Sequence, residues 1–73
     1  MPRLPILSPR KLVKILCKNG FYIHHQTGSH INLRHTEKKA LHVVIPYHNR
    51  DLAPKTLKSI ILQADMSIED LLK

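Results

Sequence analysis

Apolar residues recur along this chain with two different periods. Before position 19 the spacing is helical: Leu12, Ile15 and Leu16 form a stripe with Val13 at its edge. Ser8-Pro9 reads as the helix start, because serine can accept from free N–H groups and proline suits the first helical position. Asn19-Gly20 reads as its end, since glycine can take the left-handed conformation that closes a helix. From Phe21 the period becomes two, as in a strand with one buried face. Phe21 and Ile23 are expected to face a core, with Tyr22 and His24 pointing away. After Gly28-Ser29 the pattern returns: Ile31 and Leu33 inward, His30, Asn32 and Arg34 outward. A third strand takes Leu41, Val43 and Ile45 inward and His42 and Val44 outward, and Pro46 is expected to stop it.

Two helical segments follow the polar connection Tyr47–Asp51. Pro54 opens the first, where Leu57, Ile60, Ile61 and Ala64 lie at i, i+3, i+4 and i+7 and suit an apolar sheet face. Lys55 and Lys58 are expected in solvent near its start. Ser67-Ile68-Glu69-Asp70 reads as a short capped helix, with Asp70 as the capping-box acid. The order is helix, three antiparallel strands, helix and a short terminal helix. The simplest packing is α+β in two layers, with both main helices on one side of the sheet. Residues 1–73 are expected to form one domain, and residues 1–7, with two prolines, an extended arm.

Parity sets the expected register. Antiparallel partners must show the same face, so paired numbers should sum to an even value. A three-residue loop, Thr27-Gly28-Ser29, then pairs Gln26 with His30, His24 with Asn32 and Tyr22 with Arg34. Arg34 falls opposite His42 on the third strand. One face should therefore collect Tyr22, His24, Gln26, His30, Asn32, Arg34 and His42.

Composition narrows the function. Seventy-three residues allow a single small core, worth roughly 3–5 kcal/mol. Twelve Lys and Arg against five Asp and Glu give a net charge of +7, with six histidines besides. That balance points to a polyanionic partner. The single cysteine, Cys17, rules out an internal disulfide and fits a reducing cytoplasm. On the first helix it is expected to be a small core or boundary residue. No apolar run approaches the ~20 residues that span a bilayer, and no signal-peptide core is expected at the start.

The polar strand face carries candidate chemistry. An imidazole, an amide and a guanidinium on one face suit work on a phosphodiester. Arg10 and Lys11 in the first turn of the first helix oppose the helix dipole, at a cost of about 0.3–1 kcal/mol. A bound phosphate would reverse that sign. His24, His42 and His48 lack acidic neighbours and compact ligand spacing, so no metal or other cofactor is expected.

An ordered set of short motifs resembles a known family. Asn19-Gly20-Phe21 closes the first helix, and Gly28-Ser29-His30 is followed by His35. Then come Val44-Ile45-Pro46, His48, Asp51-Leu52, Thr56-Leu57-Lys58-Ser59-Ile60, Gln63-Ala64 and Ser67. This set resembles HicA-type toxins, the messenger-RNA-cleaving half of HicAB toxin–antitoxin systems. The resemblance runs over nearly the whole chain from Pro9. It implies a double-stranded-RNA-binding type of fold, a cytoplasmic endoribonuclease activity on mRNA, and neutralisation by a HicB-type antitoxin. It assigns the catalytic role to His30. Many members carry glycine just before the threonine-leucine pair; here Lys55 stands there, which alters the helix start.

RNA cleavage without a metal needs a base for the 2′-hydroxyl, an acid for the leaving 5′-oxygen and a cation near the phosphoryl oxygens. His30 can serve as base or acid, with Arg34 as the stabilising cation. Gly28 and Ser29 N–H groups can hold a phosphate, as can Arg10 and Lys11. The second proton carrier stays open among His24, His35 and His42, although His35 at a strand end can simply cap it. Tyr22 suits stacking on a base or partial burial. The rival readings are a non-catalytic RNA-binding module of the same fold and an interaction protein for an acidic partner. The sequence leaves the oligomeric state and the preferred RNA sequence open.

Overall fold

The computed structural model describes residues 4–72. Helix α1 covers Pro9–Lys18, strand β1 Phe21–Thr27, β2 His30–His35 and β3 His42–Pro46, followed by α2 at Pro54–Gln63 and α3 at Ile68–Leu71. The strands form one antiparallel sheet in the order β1-β2-β3. The architecture is the expected α-β-β-β-α arrangement with a short third helix, consistent with a double-stranded-RNA-binding type of fold. Of the expected arm, residues 1–3 lie outside the described residues. Residues 4–7 form neither helix nor strand, and Leu7 is buried with its carbonyl accepting from the Leu52 N–H at 2.8 Å.

Each boundary has a local cause. Ser8 Oγ accepts from the Lys11 N–H at 3.3 Å, and Pro9 occupies the first turn of α1. Gly20, at φ +95°, turns the chain from α1 into β1. At α3 the Ser67 N–H donates to Asp70 Oδ2 at 2.9 Å while Ser67 Oγ accepts from the Asp70 N–H. The third strand runs through Pro46, one residue further than expected, because Pro46 pairs with His30 at the sheet edge. There the missing N–H of a proline costs no ladder bond.

The core lies between the sheet and the helices. Leu12 and Leu16 of α1, Ile31 and Leu33 of β2, Val43 and Ile45 of β3, and Leu57, Ile60 and Ile61 of α2 are buried together. Two inward assignments need correction. Ile23 pairs with Leu33 yet is 49% exposed, because β1 is an edge strand that the helices cover less fully. Cys17 is exposed: it lies one position past Leu16, about 100° further around the helix.

The hairpin register is the main departure. The connection is a two-residue turn, Gly28-Ser29, with Thr27 opposite His30, Gln26 opposite Ile31 and His25 opposite Asn32. Gly28 sits at φ +53°, the sign that a two-residue turn with glycine first requires. Beyond Ile23 the expected pairs return: Tyr22 faces Arg34, and Arg34 faces His42. The two registers differ by one residue, and a β-bulge at His24 takes up the difference. Gln26 and His24 therefore leave the expected row, and His25 and Thr27 replace them.

Candidate functional site

The face of the sheet away from the helices carries Tyr22, His25, Thr27, His30, Asn32, Arg34 and His42 by register. His30 opens β2 directly after the turn, between Thr27 on β1 and Pro46 on β3, and is exposed. The turn is held from below: the Tyr47 N–H donates to the Ser29 carbonyl at 2.6 Å. Among the described residues the Gly28 and Ser29 N–H groups have no partner, so both remain open to an anion.

The six histidines separate by what their rings touch. Nδ1 of His35 accepts from the Glu37 and Lys38 N–H groups at 3.1 and 3.0 Å. Its Nε2 must then carry the proton, which it donates to the Asn19 carbonyl at 3.0 Å. The ring also meets Phe21 edge-on at 4.9 Å. His35 thus fastens the end of α1 to the turn after β2, and the strand-end capping reading holds. His42 Nε2 lies 3.1 Å from Asn32 Oδ1, a diagonal cross-strand bond. His48 Nδ1 accepts from the Arg50 N–H at 3.2 Å inside the polar connection. His24 and His25 meet Nδ1 to Nδ1 at 3.0 Å. Among the described residues His30 alone has a ring with no hydrogen bond.

Arg34 is the cation of this row, while Arg10 and Lys11 lie apart from it on α1. Arg34 stands four positions from His30 on the same side of β2, about 13 Å along an extended strand. It opens onto a hollow of about 110 Å³ lined by Tyr22, Arg34, His35, Thr36 and Lys39. Tyr22 is 43% exposed there. Arg10 and Lys11 are exposed at the start of α1, whose first turn holds no acid. The segment after β3 bonds to the hairpin turn through Tyr47 and to the chain before α1 through Leu52. One connection therefore ties the start of α1 to the turn that carries His30.

Sequence reasoning missed His25. Strict alternation placed its neighbours His24 and Gln26 on the polar face, and only the paired register of a two-residue glycine turn with Tyr22–Arg34 could have exposed the extra residue. Among the described residues no three His, Cys, Asp or Glu side chains gather as a metal-ligand group. No helix there is long and apolar enough to cross a membrane.

No curated protein matches the chain. A family model described as the HicA toxin of bacterial toxin–antitoxin systems matches residues 9–66, a stretch that takes in α1, the whole sheet and α2. With most of its length inside that match, including the turn before His30, the chain belongs to the HicA toxin family of bacterial toxin–antitoxin systems.

Proposed function

We propose that this toxin is a metal-independent endoribonuclease that cuts messenger RNA in the cytoplasm, with His30 at the scissile phosphate. The observation that carries the reading is the state of that side chain. Among the described residues His30 is the one histidine whose ring has no hydrogen bond, on an exposed face, next to a turn with two open N–H groups. An imidazole in that setting can take the proton of a 2′-hydroxyl or protonate a leaving oxygen. Gly28 and Ser29 N–H groups bind the phosphate beside it, as oriented backbone donors do. At about 13 Å along the strand, Arg34 holds a neighbouring phosphate of the same RNA instead of the one being cut. Arg10 and Lys11 add attraction from the start of α1. Membership of a toxin–antitoxin family implies an antitoxin partner. A HicB-type protein covering the face around His30 would silence the toxin by excluding RNA.

The test is cleavage of a single-stranded RNA in excess EDTA by the wild type and by His30→Ala. Cleavage by the wild type alone supports the assignment. Equal cleavage by a folded His30→Ala protein would sink it. Salt-sensitive binding with no cleavage in either lane would favour a non-catalytic RNA-binding module.

A further inference from the structure

The bulge in β1 sets a second histidine beside His30. Thr27 stands opposite His30 and His25 opposite Asn32. His25 and His30 are therefore diagonal cross-strand neighbours on one face, a relationship that spans roughly 7–8 Å. Two rings so placed can reach oxygens on opposite sides of one phosphorus, each within hydrogen-bond range of about 2.6–3.2 Å. The ring of His25 is also held. Its Nδ1 lies 3.0 Å from Nδ1 of His24, with the ring centroids 5.2 Å apart in an edge-to-face arrangement. One of the two nitrogens must carry the proton and the other accept it. With the proton on His25, Nδ1–H donates to His24 and Nε2 is left free. That Nε2 can gain and lose a proton while the bond to His24 persists. The other histidines are engaged elsewhere: both nitrogens of His35 bind backbone groups, and His42 Nε2 is on Asn32.

We propose that His25 is the second proton carrier of the cleavage site, with His24 as the residue that positions it; this rests on the role of His30 given above. His30 removes the 2′-hydroxyl proton as the O2′–P bond forms. The P–O5′ bond breaks, and His25 delivers the proton from Nε2 to the departing O5′. The products are a 2′,3′-cyclic phosphate and a 5′-hydroxyl. His30 ends with one proton more and His25 with one fewer, and exchange with water restores both.

The experiment compares two RNAs cut at the same mapped position, one natural and one with sulfur replacing the bridging 5′-oxygen. A thiolate departs without protonation, so it does not need the acid. His25→Ala and His25→Gln should each cut the natural RNA about 10²–10⁴-fold more slowly and the sulfur RNA at close to the wild-type rate. His25 is exposed, and the glutamine keeps a donor for His24, so circular dichroism should show both variants folded. His30→Ala should fail on both RNAs. Equal slowing of the His25 variants on both RNAs would overturn the proposal, leaving His25 as a binding residue. So would full activity of the His25 variants on natural RNA while His30→Ala is inactive. Activity in His30→Ala would instead overturn the parent reading, whatever the His25 variants do.

Discussion

The ring of His35 lies against the α-carbon of Gly20. A Cβ placed on Gly20 would sit 2.6 Å from His35 Nε2 and 2.9 Å from Cε1. The same glycine holds φ at +95°, so two independent constraints select it. From this position His35 binds the Asn19 carbonyl and two N–H groups beyond β2. One interlock thereby joins α1, the start of β1 and the end of β2.

Gly20→Ala should therefore cost about 2–4 kcal/mol, from left-handed strain plus displacement of the ring. His35→Ala should cost about 1–3 kcal/mol, since three backbone groups lose their partner. Either loss is a large share of what a core of this size supplies. Urea denaturation followed by circular dichroism measures both, and a Gly20→Ala protein of wild-type stability would contradict the packing. Any lost activity in His35→Ala should track lost fold, whereas His30→Ala should lose activity with its denaturation midpoint unchanged.

Gly28 makes a different prediction. Its φ is +53°, yet no atom lies within 4 Å of a Cβ built there. Gly28→Ala should cost about 1 kcal/mol through backbone strain alone, and Gly28→Asn less, because asparagine tolerates that conformation. If Gly28→Asn is stable but cuts RNA poorly, the phosphate needs the close approach that only glycine permits. Thermal melting beside the cleavage assay separates the two roles.

Arg10 and Lys11 should show opposite signs in stability and function. Replacing both with alanine removes cations from a helix N-terminus that holds no acid, which should raise stability by about 0.3–1 kcal/mol per charge. The same change should weaken RNA binding and flatten its salt dependence by up to two phosphate contacts. Arg34→Ala should flatten it by about one. At its distance from His30 the loss should fall on KM and spare kcat. A double-alanine protein that is less stable would contradict the dipole argument, and one that binds RNA with an unchanged salt slope would remove these side chains from the interface.

The expected elements were legible because each has a local cause. The stripe of Leu12, Ile15 and Leu16 follows the helical repeat, and alternation through Ile31, Leu33, Val43 and Ile45 marks the buried sheet face. Tyr22–Arg34 and Arg34–His42 pair as parity requires. His30 stood out through the resemblance of its Gly28-Ser29-His30 turn to HicA-type toxins, and the family match covers that stretch. What alternation could not carry was the phase of β1. The turn at Gly28-Ser29 and the pairing at Tyr22–Arg34 each set a register, and the two differ by one residue. Nothing local decides where the extra residue goes. The sheet places it at His24, because Ile23 keeps its place opposite Leu33 while His25 moves opposite Asn32. The folding of His35 onto Gly20 was equally hidden, since those residues lie fifteen positions apart and meet only once the hairpin closes. Sequence alone thus determined most of the buried core, Ile23 and Cys17 excepted, and the polar row of β2. Tertiary structure decided which histidine stands beside His30 and which is tied into the frame, because register and long-range contact depend on two segments at once.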